Sequence, residues 1–98
     1  MSAYLILFGF TSQGIAKIKE SPARVEAAKE IVRSLGGEVR AFYGIQGSTH
    51  DTMFILEAPD DESAAKMALM IGAQGNVRTE THRLFSEDEY KKLIRSLP

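Results

Sequence analysis

The residues best suited to chemistry lie in a short polar segment and in a later strand. Residues 47–51 (GSTHD) separate the apolar runs VRAFYGI and TMFIL, and they include His50 and Asp51. The unperturbed pKa of histidine lies near neutrality, so His50 can serve as a general base. Arg78, in the later run NVRTETHR, can hold a ligand carboxylate or stabilise an enolate. The alternative is an ordinary turn whose short polar side chains, that of Asp51 among them, bond the nearby backbone.

Hydrophobic periodicity predicts the elements that carry these residues. Four runs are typical of strands, and apolar residues at spacings of three and four are typical of the helices between them. Ser86 and Glu89 form a capping box before a closing helix. The predicted strands are 4–10, 38–45, 52–58 and 76–85. A helical stretch is predicted from Thr11 or Ser12, interrupted at Ser21-Pro22, and the further predicted helices run from there to Gly36-Gly37, from residues 59–62 to Gly72 or Gly75, and from residue 86 onward.

Three local features give more detailed predictions. Serine followed by proline predicts Ser21 as the N-cap of the first long helix. Gly9, inside the first strand, indicates a bulge or a close approach of another group. Alternation assigns the side chains of the second strand to two faces, with Glu38, Arg40 and Phe42 opposite Val39, Ala41 and Tyr43.

The element order is β-α-β-β-α-β followed by a helix, and it predicts an α+β, ferredoxin-like fold in one domain of residues 1–98. Right-handed crossovers give an antiparallel sheet in the order 4-1-3-2, with both main helices on one face. This topology gathers several polar residues at one end of the sheet. The predicted ligand-binding residues there are Tyr43, His50, Asp51, Asn76 and Arg78, and no catalytic residue is assigned among them.

The first and third strands are apolar on both faces, whereas the helices can cover only one. Soluble monomers rarely expose a large apolar face, and a second copy is its simplest cover. The predicted partner is therefore the chain itself, in a homodimer. The alternative is that the C-terminal helix folds back over this face. The apolar residues in question are Leu5 and Leu7 opposite Ile6 and Phe8, and Met53 and Ile55 opposite Phe54 and Leu56.

The same patterns argue against several kinds of site. Alternation points His50 and Asp51 to opposite faces, which disfavours a His-Asp dyad. His50 and His82 are expected at opposite ends of the sheet, and no metal-ligand spacing occurs, so no metal or cofactor is predicted. Glu80 and His82 share a face with Arg78, and we interpret them as a solvated, charge-paired edge. Arg78 and Glu80 can instead line a cavity inside the dimer.

Composition excludes several classes of partner. The 98 residues include 12 basic and 13 acidic side chains, which are interspersed and give a net charge of −1. Nucleic acid and anionic membrane are therefore poor partners. No apolar run approaches the roughly 20 residues of a membrane span. The chain has no cysteine, which excludes disulfides and thiolate zinc sites and is compatible with the cytoplasm, where we expect the protein.

The segments SPARVEAA, LGGEVRAFY, EAPDDE and GNVRTET resemble the GYD-domain family, and the resemblance covers roughly residues 3–95. It implies a ferredoxin-like protomer that pairs as a dimeric α/β barrel, and it implies no activity. The family's Gly-Tyr-Asp signature precedes the third strand. Asp51 matches its aspartate and His50 takes the place of its tyrosine. The glycine corresponds to Gly47 with one extra residue, or is replaced by Ser48 or Thr49.

Three functions are compatible with these patterns. The first is a homodimeric module that binds a small ligand at the end of the sheet. The second is a cofactor-independent isomerase or monooxygenase acting on an aromatic or enolisable compound, by analogy with other dimeric α/β barrels. The third is a structural or interaction domain without a site. No complete set of acid, base and nucleophile is present, which favours binding.

Overall fold

The chain folds as a four-stranded antiparallel sheet with helices packed on one face. The computed structural model describes residues 1–98. The elements are β1 (Ser2–Phe10), α1 (Ser12–Ala16), a 3₁₀ turn (Ile18–Glu20), α2 (Ser21–Ser34), β2 (Glu38–Gly44), β3 (Thr52–Ala58), α3 (Asp61–Ala73), β4 (Val77–Leu84) and α4 (Glu87–Arg95). The sheet order β2-β3-β1-β4 is the predicted order seen from the opposite edge, and the ferredoxin-like α+β fold is confirmed.

The core lies between the sheet and the helices α2 and α3. Alternate residues of β1 and β3 are buried, as expected for strands with one face packed on a core. The helices contribute residues at spacings of three and four, so that one stripe of each faces the sheet. The buried side chains are Tyr4, Ile6, Phe8, Ala28, Val32, Phe54, Leu56, Ala58, Ala64, Met67, Ala68 and Ile71.

The Tyr4 hydroxyl is a polar group at the edge of this core. It donates a hydrogen bond to the carboxylate of Asp61, in the first turn of α3. Burial, together with this hydrogen bond to an anion, raises the pKa of Tyr4 above its ordinary value. The bond therefore ties β1 to the start of α3.

A β-bulge in β2 overturns the predicted assignment of its faces. The register shifts between Val39 and Ala41, and Arg40 is the extra residue. Phe42 therefore pairs with Phe54 on the helix side, and it does not share a face with Glu38 and Arg40 as predicted. A shift by one residue moves every following side chain to the other face, so strict alternation could not describe this strand.

The predicted N-cap of the long helix is also wrong. Ser21 already has helical backbone angles, φ −54° and ψ −44°, and it is the first residue of α2. The preceding 3₁₀ turn leads directly into the helix, so no extended capping residue separates the two. The first helical turn at Thr11 does have a side-chain cap, because the Thr11 hydroxyl accepts a hydrogen bond from the Gly14 N–H.

The closing helix α4 begins with the predicted capping box. Ser86 and Glu89 exchange side-chain to backbone hydrogen bonds of 3.1 and 2.9 Å. No residue of α4 is buried, so the helix does not fold back over the sheet. The apolar residues of α4 and of the short segment after it are all exposed, and they are Tyr90, Leu93, Ile94 and Leu97. No helix of the chain is long and apolar enough to cross a membrane.

Candidate functional site

The sheet surface opposite the helices, which we call the open face, is apolar at its centre and polar along β4. Leu5 and Leu7 of β1 pair with Ile55 and Met53 of β3, and all four are only partly buried. Cross-strand partners share a face, so the register also assigns the β4 and β2 residues that flank them. These are Arg78, Glu80 and His82 on β4, and Ala41 and Tyr43 on β2.

Arg78 extends inward over β1 because Gly9, its partner in the register, has no side chain. A Cβ atom added to Gly9 would lie 3.2 Å from Nη2 of Arg78 and 3.9 Å from the carbonyl oxygen of Thr49. The predicted close approach at Gly9 is therefore that of the Arg78 guanidinium. The space left by Gly9 allows the guanidinium to lie on the open face, next to the loop of residues 45–51.

Glu80 is the centre of a charged cluster that we call the Glu80 cluster, formed by His50, Glu80 and His82. Nε2 of His82 lies 2.6 Å from one carboxylate oxygen of Glu80, and Nε2 of His50 lies 3.6 Å from the other. The hydrogen bond from His82, supported by the nearby His50, lowers the pKa of Glu80. The two histidines come from different ends of the open face, as expected, since His82 pairs with Leu5 and the loop of His50 binds the end of β1, but both side chains reach the Glu80 carboxylate. No group of acidic and histidine side chains is arranged to hold a metal ion.

Sequence reasoning placed Glu80 and His82 on one face with Arg78, and the register confirms this. The sequence pattern did not reveal that His50, from the loop, joins Glu80 and His82. The alternation of Arg78, Glu80 and His82 was the available signal for the β4 side of the cluster. No local pattern could show that the loop brings His50 to the same carboxylate.

Asp51 holds the loop against the end of β1. Its carboxylate Oδ2 accepts a hydrogen bond of 2.8 Å from the Phe10 N–H, and its own N–H donates to the Phe8 carbonyl at 2.8 Å. Its carbonyl accepts from the Ile45 N–H, also at 2.8 Å. His50 and Asp51 therefore make separate contacts and form no dyad. This geometry supports a structural role for Asp51.

Replacing Asp51 by alanine is expected to lower the free energy of unfolding by about 1–3 kcal/mol, because the partly buried Phe10 N–H loses its acceptor. Asp51→Asn is the matched control, since its amide oxygen can still accept this bond, and its free energy of unfolding should fall clearly less. Urea unfolding followed by circular dichroism measures both. Equal losses in the two variants would show that the negative charge, rather than the acceptor, is required.

The other two predicted site residues lie apart from the Glu80 cluster. The side chain of Asn76 accepts a hydrogen bond of 3.0 Å from Gln13, and Asn76 lines a cavity on the helix side of the sheet. Tyr43 lies on β2, at the opposite edge from Arg78, and three strand spacings separate their backbones by about 14 Å. The five predicted residues therefore do not form a single site within one chain.

The helix-side cavity is small. Its volume is about 50 Å³, and its lining includes Phe8, Phe54 and Arg24. Binding pockets for small molecules typically measure roughly 300–1,000 Å³. The guanidinium of Arg24 is already bonded to the Gly14 carbonyl at 3.0 Å. This cavity is therefore much smaller than a typical pocket for an organic ligand.

The fold and its open face define the class of this protein as a ferredoxin-like α+β domain with an uncovered sheet. Within this class, the chain belongs to the GYD domain family, whose model matches residues 4–94. The family resemblance noted from the sequence is thereby confirmed.

One curated relative is the "Glutamine synthetase and cystathionine beta-lyase binding protein" of Thermus thermophilus. It is 29% identical over 82 residues, which are 83% of this chain and 85% of the relative. Its name describes it as a protein that binds two enzymes.

Two solved structures share the fold. The Mycobacterium tuberculosis leucine response regulatory protein LrpA has a TM-score of 0.64 and 15% identity over 87% of this chain. The match spans about half of that regulator, 51% of its length. The protein TTHA0845 from Thermus thermophilus has a TM-score of 0.56 and 23% identity, covering 88% of this chain and 95% of its own. At these identities the similarity shows the fold alone.

Proposed function

We propose that this protein is a homodimeric binding module whose two copies pair through their open faces and enclose a small-ligand site. The observation that carries this proposal is the apolar centre of the open face, formed by Leu5, Leu7, Met53 and Ile55. These side chains remain partly exposed, and the helices pack on the opposite face. Burying such a surface against a second copy is favourable by about 25 cal/mol per Å² of apolar area.

The small volume of the helix-side cavity also supports a site between two copies. That cavity offers about 50 Å³, less than binding pockets for small molecules typically have, so it does not compete with a site between two copies. Pairing two open faces would enclose the Glu80 cluster and Arg78 beside apolar walls. The proposal includes a cytoplasmic location, in keeping with the absence of cysteine from the sequence.

Ile55→Lys tests this pairing, because it puts an unpaired charge at the centre of the proposed interface, at a cost of several kcal/mol. Light scattering of the wild type at micromolar concentration should give twice the chain mass of 10.8 kDa, and the variant should give the mass of one chain. Leu69→Lys, at a site on α3 that is 72% exposed, is the control and should remain dimeric. Native mass spectrometry of the wild type should show the dimer with a retained small molecule. A wild-type mass of one chain would refute the proposal.

A second candidate is an adaptor that binds other proteins. Two observations favour it: the exposed apolar stripe of α4, and the name of the Thermus relative, which describes the binding of two enzymes. The discriminating experiment is size-exclusion chromatography with purified glutamine synthetase and cystathionine beta-lyase from the same organism. Co-migration that is lost when Leu93 and Ile94 are both replaced by serine would favour the adaptor. A ligand-bearing dimer that binds neither enzyme would favour the ligand site.

A further inference from the structure

The guanidinium of Arg78 is a cation without an anionic partner on the open face. No carboxylate lies within 4.0 Å of it, and it takes part in none of the ion pairs or side-chain hydrogen bonds of the chain. The guanidinium lies over Gly9 of β1. It therefore points across the open face toward β1, and not outward past the edge strand β4. Its five N–H donors are therefore available to another molecule on this face.

The acidic residue that follows Arg78 on the same face of β4 is already engaged. Glu80 contacts His82 at 2.6 Å and His50 at 3.6 Å, one histidine at each carboxylate oxygen. Both oxygens therefore face histidine nitrogens, and neither lies within 4.0 Å of Arg78. The chain itself supplies no counter-charge for Arg78.

Covering the open face would remove Arg78 from water, and an isolated buried charge is strongly unfavourable. A carboxylate relieves this cost best, because its two oxygens match the guanidinium fork and form two parallel charge-assisted hydrogen bonds. Leu7 and Met53, which are cross-strand partners on the same face, offer an apolar surface beside this position. A ligand that satisfies both environments has an acidic end and an apolar body.

We propose that Arg78 binds the carboxylate of a small organic acid whose apolar body packs on the centre of the open face. This inference rests on the proposed function, because the covered open face is what excludes water from Arg78. It assigns the Glu80 cluster a positioning role, since His50 and His82 hold the Glu80 carboxylate away from the acid. The other source of an anion is the Glu80 of a second copy, and the binding and mass measurements together separate the two.

The test uses the full chain and two acids, benzoate and hexanoate, with benzamide as the uncharged counterpart of benzoate. Isothermal titration calorimetry should show that both acids bind to the wild-type dimer and that benzamide binds at least ten-fold more weakly. Arg78→Gln should weaken benzoate binding about ten- to hundred-fold, as expected for a charge-assisted hydrogen-bonded pair. Arg78→Lys keeps the charge but loses the guanidinium fork, so its affinity for benzoate should lie between those of the wild type and Arg78→Gln. Arg95→Gln, which removes another unpaired arginine on α4, is the control and should leave affinity unchanged.

Light scattering of each variant makes the outcomes distinguishable. Unchanged benzoate affinity in a dimeric Arg78→Gln variant would overturn the inference. Dissociation of the dimer by Arg78→Gln would show that Arg78 pairs with a carboxylate of the second copy, and would also overturn it. Failure of both acids to bind to an intact dimer would overturn the inference while leaving the proposed homodimer in place. A monomeric wild type would remove the proposed function and this inference together.

Discussion

Replacing Phe54 by alanine is expected to lower the free energy of unfolding by about 3–5 kcal/mol. The Phe54 side chain is 1% exposed and lies at the centre of an aromatic group on the helix side of the sheet. Its ring contacts those of Phe8 and Phe42 edge-on, at centroid distances of 5.1 and 5.8 Å. The variant loses the buried ring, leaves a cavity between three elements and removes two aromatic pairs.

Domains of this kind are typically stable by about 5–15 kcal/mol, so this loss is expected to leave a marginal fold. Urea unfolding gives the difference directly. Phe85→Ala is the matched control: the Phe85 ring is 51% exposed and contacts the Arg83 guanidinium at 4.6 Å, so its loss should cost about 1 kcal/mol or less. Similar losses in the two variants would contradict an aromatic core centred on Phe54.

Gly14→Ala is expected to destabilise the chain by about 3 kcal/mol, at the upper end of the range for overpacked sites. A Cβ atom at Gly14 would lie 2.0 Å from the carbonyl oxygen of Asn76 and 2.9 Å from its carbonyl carbon. Both are backbone atoms, so no side-chain rotation can relieve the overlap. The start of α1 would have to move away from the start of β4, where Thr11 donates its N–H to Asn76 at 3.1 Å.

Gly72→Ala is the control, because Gly72 is also a helical glycine but its added Cβ meets only the Val77 carbonyl oxygen, at 3.9 Å. Alanine is favoured over glycine in a helix, so this variant should gain about 0.5–1 kcal/mol. Paired thermal unfolding curves should therefore shift in opposite directions. A gain of stability in both variants would contradict the close packing of α1 against the start of β4.

The contact at Gly14 also bears on the candidate site. Arg78 lies two residues after Asn76, so the packing of α1 on Asn76 helps to set the position from which Arg78 extends over Gly9. In the same way, Asp51 fixes the loop that carries His50. Contacts with the backbone thus help to set the positions of Arg78 and of the loop that carries His50.

The sequence by itself determined the order of the elements, the sheet topology and the existence of an open apolar face. These follow from local periodicity, because alternation and helical spacing are properties of neighbouring residues, and crossover handedness then limits the topology. It also determined which β4 residues share a face, since β4 pairs with β1 without a register shift.

Only the tertiary structure decided which groups meet on that face. The bulge at Arg40 turned Phe42 to the helix side of the sheet, where its ring meets that of Phe54, although its local pattern placed it beside charged residues. The loop brought His50 to Glu80, and the missing side chain of Gly9 let Arg78 cross to β1. Each of these depends on register and side-chain reach between segments distant in the chain, where a change of one residue or of one Cβ atom moves the contact. The segment GSTHD therefore combines a structural aspartate with a histidine whose contacts only the folded chain defines.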